Sequence, residues 1–205
     1  AYIKAAQTLS AGRRSAAETL DQAVMAELTP LKLGKAVFET QLTPLEEEQW
    51  GPTGQERIRF AVATNPGQKP GPIDKIASGG ELARFMLALK VALRRVNAVP
   101  TLIFDEVDTG IGGAVADAVG ERLAQLGADA QVLVVTHSPQ VAARAAHHWQ
   151  ISKSEPANAK EGLPATRITP LDSQARREEI ARMLSGAEVS DEARAAADKL
   201  LKTPA

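Results

Sequence analysis

Two short apolar runs, Thr101-Leu102-Ile103-Phe104 and Gln131 to Val135, stand on either side of an amphipathic stretch, Gly113 to Leu126. A strand, a helix and a strand in that order and at those lengths read as a parallel pair joined by a right-handed crossover. Each run ends in polar residues: Asp105-Glu106 after the first, Thr136-His137-Ser138 after the second. Ligand sites of open α/β sheets lie at the carboxyl ends of parallel strands, so these positions are the first candidates for chemistry.

Each candidate has a chemical and a structural reading. Asp105 is placed to hold magnesium through water, as a hard oxygen ligand. Glu106 is placed to act as a general base on an attacking water; the plainer alternative for the pair is a solvated acidic loop. His137 is suited to contact a γ-phosphate and orient that water, although a histidine after a strand also serves as a hydrogen-bonded structural residue. Ser78-Gly79-Gly80-Glu81 opens a run from Glu81 to Val96 in which Leu82, Phe85, Met86, Leu89 and Leu93 recur at helical spacing, with Arg94-Arg95 in its last turn. Ser78 and Glu81 fit a capping box. The two glycines do not, because they add backbone entropy without packing; they leave the free amides of a helix start open to an anion. Nowhere in the 205 residues is there a G-x-x-x-x-G-K-[ST] loop, the element that cradles β- and γ-phosphates. The chain is therefore expected to carry metal, base and sensor groups without holding a nucleotide by itself.

From Ala1 to Leu28 the apolar positions Ile3, Ala6, Ala17, Leu20, Val24 and Leu28 fall three and four apart, a helix with one seam. The pattern turns polar around Ser10 to Arg14, where an interruption is expected, and Pro30 and Gly34 end it. Ala36 to Glu39 and Arg57 to Ala63 read as strands, Gly51-Pro52-Thr53-Gly54 as the turn before the second, and Asn65 to Pro72 as loop. The two runs of the crossover are expected to be buried strands. Trp149 to Ser152 and Thr166 to Thr169 form a hairpin around a polar loop, Lys153 to Pro164; two helices follow, Ser173 to Leu184 and Ser190 to Leu201. His147-His148 lie past a helical stretch without a third ligand and read as surface or packing residues. There is no cysteine, hence no thiolate metal site, and no apolar stretch approaches a membrane span. With 24 basic and 25 acidic residues, global charge gives no sign of a nucleic-acid partner, so any DNA contact is local.

Taken together, the motifs resemble an ABC-type ATPase head of the SMC kind, specifically the lobe that carries signature, Walker B and switch histidine. The resemblance runs through Ala63-Thr64-Asn65-Pro66-Gly67, Lys75 to Arg84, Phe104-Asp105-Glu106-Val107-Asp108-Thr109-Gly110-Ile111-Gly112-Gly113, Val135 to Ala142 and Arg177 to Gly186. It is closest to a bacterial DNA-repair branch of that group: condensin and cohesin heads usually place an alanine-leucine-aspartate turn where this chain has Gly110 to Gly113. Ala83 stands where a serine is frequent.

The resemblance implies an α/β fold, the C-terminal lobe of a P-loop NTPase head with a parallel sheet core and an N-terminal coiled-coil helix. Residues 1–29 would be the end of that helix and 30–205 the lobe. It implies ATP and Mg2+ as ligands, the N-terminal Walker A lobe of the same protein as partner, and a homodimer in which two heads sandwich two nucleotides. Ser78, Gly79, Gly80 and Glu81 would then meet the nucleotide of the partner head, while Asp105, Glu106 and His137 serve their own. Asp108 would belong to the loop that crosses the interface. The implied function is ATP-driven DNA tethering in double-strand-break repair and recombination, in the cytoplasm at the nucleoid, with no membrane. Alternatives are an ATP-latched tether with little turnover and, more remotely, an ABC transporter nucleotide domain.

Overall fold

A computed structural model describes residues 1–76, 78–94, 96, 99–154, 165–186 and 188–202. The chain divides into two compact units, Ala1–Val135 and Thr136–Ala205.

The first unit is built on a long helix, α1 (Tyr2–Leu28), which buries Ala6, Ser10, Ala17, Val24 and Leu28. Those positions are four and seven apart, so they form one stripe along the helix. The expected interruption at Ser10 to Arg14 does not occur. Ser10 is itself buried in the stripe, and Gly12 has no atom within 4 Å of where a Cβ would sit, so neither residue forces a break. Beyond Leu28 the backbone widens into a π turn, Thr29–Leu33, in which Lys32 takes a left-handed conformation at φ 61°. Leu31 and Leu33 of that turn point into the core.

The turn delivers the chain to β1 (Val37–Pro44), which pairs antiparallel with β2 (Glu56–Ala63), Val37 opposite Ala63 and Pro44 opposite Glu56. The tip between them closes at Gly51 and Gly54, as the sequence indicated. Asn65 to Pro72 is not all loop, since Gly71–Pro72 adds a two-residue strand, β3, against β2. The helix seats on this sheet through Asp21, whose carboxylate accepts from the Thr40 amide at 3.0 Å and the Thr40 hydroxyl at 2.7 Å. Phe38 and Phe60 add a tilted ring contact at 5.5 Å.

Next comes α2 (Gly79–Ala92), which buries Phe85, Leu87, Ala88, Leu89 and Val91. It starts on the glycines and stops before Arg94, so the basic residue expected in its last turn lies beyond it; Arg95 lies outside the described residues. β4 (Thr101–Asp105), α3 (Gly113–Gly127) and β5 (Gln131–Val135) follow. β4 and β5 pair in parallel, Thr101 opposite Gln131 and Asp105 opposite Val135, which is the crossover the sequence required. The Arg122 guanidinium ties α3 to the long helix through Glu27 at 3.0 Å. The expectation that β4 and β5 are buried fails: Ile103 is 72% and Val135 52% exposed. Parallel strands are ordinarily covered on both faces, and here α3 packs against β5.

The second unit holds α4 (Pro139–Arg144), the hairpin β6 (Trp149–Ser154) and β7 (Ala165–Pro170), and the helix pair α5 (Ser173–Ser185) and α6 (Asp191–Lys202). Most of the loop foreseen between the hairpin strands, residues 155–164, lies outside the described residues. Ala142, Ala143, Ile180, Ala181, Ala193 and Ala197 form its core. Alanines at that many contacts let helices approach closely while contributing little area each.

Candidate functional site

In the first unit the site grows from two loops. Ser78 is the N-cap of α2, in an extended conformation, and its hydroxyl accepts from the Glu81 amide at 3.4 Å. That is long for a capping bond, and Ser78 and Gly79 are both exposed. The two glycines differ. A Cβ at Gly79 would meet nothing within 4 Å, so the space over the first amides is open. A Cβ at Gly80 would sit 3.1 Å from the Thr109 carbonyl oxygen and 3.3 Å from Arg84 Nη1. Gly80 thus has a packing reason of its own: it lets the loop after β4 approach the helix start. Glu81 lies in the first turn, where an acidic group complements the helix dipole.

Arg84, which sequence reasoning passed over, lies one turn further on. It is buried, its Nε makes no hydrogen bond among the described residues, and burial lowers its pKa while the Glu81 carboxylate opposes that shift. The available signal was an arginine on a helix whose neighbouring positions, Phe85, Leu87 and Ala88, are all apolar.

At the end of β4, Asp105 and Glu106 are both exposed. Glu106 has φ 53°, one of two non-glycine residues in the left-handed region among those described. Such a conformation costs of order 1–3 kcal/mol and persists only where the surroundings impose it. Here the Glu106 amide donates to the Val135 carbonyl at 3.3 Å and its carbonyl accepts from the Thr109 amide at 3.1 Å. The turn continues through Gly110 at φ 73°, a value only glycine adopts without cost. Val107 and Asp108 are fully buried beneath it. Glu106 is therefore lifted away from the strand while Val107 anchors the loop.

The adjacent carboxylates of Asp105 and Glu106 suit magnesium, which usually takes one or two protein carboxylates and completes its shell with water and phosphate oxygens. No group of three acidic or histidine ligands that would cage a metal occurs among the described residues. That donor set fits a nucleotide-borne ion.

In the second unit His137 is exposed and precedes the buried Ser138. The Ser138 amide donates to Thr136 Oγ1 at 2.9 Å, and the Ser138 hydroxyl donates to Gln140 Oε1 at 2.9 Å. Among the candidates, Ser78 to Glu81, Asp105, Glu106 and Asp108 thus fall in one unit and His137 in the other. His148 is half-buried with its pKa lowered, first by desolvation and then by Arg176, as befits a packing residue.

The fold is similar to part of an SMC head domain. It resembles the Smc head domain with a coiled coil and joint from Pyrococcus yayanosii, with a TM-score of 0.56, 19% identity, and coverage of 82% of this chain and 29% of that one. An Smc head domain with an extended coiled coil from Pyrococcus furiosus gives a TM-score of 0.54 at 18% identity, covering 82% of this chain and 38% of that one. No protein-family profile matches the chain. Sequence relatives are closer. The chain is 50% identical over 201 residues to the DNA repair protein RecN of Xylella fastidiosa, and 43% identical over 203 residues to that of Rickettsia bellii. The RecN of Streptomyces coelicolor is 39% identical over 208 residues. These alignments cover 97–99% of this chain and 35–36% of the relatives, so it spans about a third of their length. Over nearly its whole length the chain is similar in sequence to these RecN proteins.

Proposed function

We propose that this chain is the signature, Walker B and switch-histidine lobe of an SMC-like ATPase head, and that it binds and hydrolyses ATP only together with a Walker A lobe. The observation that carries the reading is the turn after β4, where an exposed glutamate is held in a left-handed conformation at the carboxyl end of a parallel strand. A solvated loop has no need of that strain. In this reading Glu106 accepts a proton from the water that attacks the γ-phosphorus, ADP leaves, and inorganic phosphate forms. Asp105 holds Mg2+, which supplies charge neutralisation at the phosphates. His137 donates a hydrogen bond to the γ-phosphate and orients the water.

The open amides at Ser78 and Gly79 serve the nucleotide of a partner head, Gly80 and Glu81 set the start of the helix, and two heads close over two nucleotides. Asp108, being buried, supports the interface loop from within. Ile103 and Val135 mark the uncovered part of the parallel pair, where the Walker A lobe of the same protein packs. The relatives are named DNA repair proteins, which supports a role in DNA repair; DNA as partner and the nucleoid as its place belong to the same proposal. No helix among the described residues is long and apolar enough to cross a membrane.

The test joins this chain to the Walker A lobe and measures ATP hydrolysis with and without linear DNA. Turnover that requires both lobes and rises with DNA supports the reading. Turnover by residues 1–205 alone refutes it, and turnover indifferent to DNA refutes the coupling.

A further inference from the structure

The histidine loop opens a helix of six residues, Pro139–Arg144, too short to hold a helical conformation by itself. Its buried face is Val141, Ala142 and Ala143, and the two alanines lie in one cluster with Ile180 and Ala181 of α5 and Ala193 and Ala197 of α6, against which Met183, Val189, Leu200 and Leu201 pack. The alanines that α4 contributes to this cluster present only methyl groups, so they fix its position along its axis less firmly than larger interlocking side chains would. Its far end is held differently. Arg176, in the first turn of α5, directs one nitrogen, Nη2, at the carbonyls of Ala142, Ala143 and Ala145, at 3.2, 3.0 and 2.5 Å. These are carbonyls at and just past the helix end, where intrahelical partners run out; that of Ala142 also accepts from the Ala145 amide at 3.3 Å.

Arg176 occupies a position that local rules disfavour. A cation in the first turn of a helix opposes the dipole. Burial lowers its pKa, and its Nε makes no hydrogen bond among the described residues. Those costs persist at a residue whose Nη2 gathers the end of α4, and α4 is the element that begins immediately after His137-Ser138.

We propose that Arg176 is a positioning residue for His137, fixing the register of α4 so that the imidazole at its other end meets the γ-phosphate. A six-residue helix rises about 9 Å, so an axial slip at the clamped end is transmitted undiminished to the histidine loop. The Thr136, Ser138 and Gln140 hydrogen bonds keep that loop rigid enough to carry the movement. The proposal rests on the reading of His137 as the γ-phosphate contact.

The test uses the full-length protein and compares Arg176→Met, Arg176→Lys, His137→Ala and the double variant Arg176→Met/His137→Ala. Arg176→Met should lower kcat about ten- to a hundredfold, the range expected when a catalytic group is misplaced by about an ångström, with KM for MgATP changed less than about threefold. Arg176→Lys should recover most of that loss, because one ammonium presents three N–H donors from a single nitrogen, as the three carbonyls require. In the His137→Ala background, adding Arg176→Met should change the single-turnover rate no further. Should Arg176→Met not fold, Arg176→Gln keeps N–H donors on one nitrogen and enters the same comparison. Wild-type kcat in Arg176→Met, or an equal loss with and without His137, overturns the proposal. Wild-type kcat in His137→Ala instead overturns the reading of the histidine on which it rests.

Discussion

Two adjacent glycines at the start of α2 should respond to the same substitution with opposite signs. Replacing glycine by alanine in a helix removes unfolded-state freedom and contributes about 0.5–1 kcal/mol, the lower end applying to a first turn. At Gly79 nothing lies within 4 Å of the new methyl, so that gain should be realised whole. At Gly80 the methyl would meet the Thr109 carbonyl oxygen at 3.1 Å and Arg84 Nη1 at 3.3 Å. The oxygen is backbone, in a turn whose Thr109 amide is already bonded to the Glu106 carbonyl, so it has little room to give. Overpacking of this kind costs about 1–3 kcal/mol, which exceeds the gain by roughly 1 kcal/mol.

For a domain of this size 1 kcal/mol corresponds to about 2–4 °C in Tm. In the full-length variants the unfolding transition of the unit that holds α2 should therefore lie about 1–2 °C above the wild type for Gly79→Ala and about 2–4 °C below it for Gly80→Ala. Function should order them differently. Gly79→Ala puts a methyl in the open space over the free amides, so ATP-dependent head dimerisation should weaken in the variant whose fold is the more stable. Equal Tm shifts of the same sign would show that the Thr109 contact does not constrain Gly80. Unimpaired dimerisation of Gly79→Ala would remove the reason given for an open glycine there.

Three further outcomes are expected. Glu106→Gln in the complete protein keeps the shape of the turn and removes the base, so ATP should trap engaged head dimers with turnover reduced about 10²- to 10⁴-fold; wild-type hydrolysis rates would make Glu106 a solvated bystander. Ser78→Arg should leave ATP binding by an isolated complete head intact while blocking dimerisation, whereas collapse of monomer affinity with the fold retained would place the serine at its own nucleotide. Glu179 carries a pKa held below the ordinary carboxylate value, first by its hydrogen bond from Arg182 and also by Arg182's charge and the Gln150 amide. A depressed folded pKa gives stability that is present above the unfolded value and lost as pH falls through the folded one, so Glu179→Gln should flatten the acid limb of a Tm-against-pH curve. An unchanged acid limb would assign that sensitivity to other carboxylates.

What was legible in the sequence follows from the range of the interactions involved. The crossover, the hairpin and the terminal helix pair are written in local periodicity and turn residues, and the structure places them within a residue or two of where the pattern puts them. The interruption at Ser10 to Arg14 was misread because one polar residue, Ser10, faces the core and one glycine sits mid-helix; both are tolerated where the stripe on either side is continuous. The exposure of Ile103 and Val135 was illegible for a different reason. Hydrophobic content tells that a strand is to be covered, and nothing in it tells whether the cover lies in the same stretch of chain.

The site divides along the same line. Ser78, Asp105, Glu106 and His137 stand out as candidates because they sit at strand and helix ends, positions that sequence order predicts. Arg84 leaves only a faint signal, an arginine among apolar helix positions, and Arg176 leaves none, because it is defined by three carbonyls some thirty residues earlier in the chain. Both break a local rule, one as a cation buried on an apolar helix face and the other as a cation against a helix dipole. Glu106 breaks another, as a bulky residue in the left-handed region. Violations of local preference that the fold maintains at a cost concentrate where geometry is under functional constraint. On that criterion the loop after β4, the start of α2 and the clamp on α4 are the places where substitutions should separate activity from stability. The buried stripe of α1, which carries none of the candidate residues, should affect only the fold.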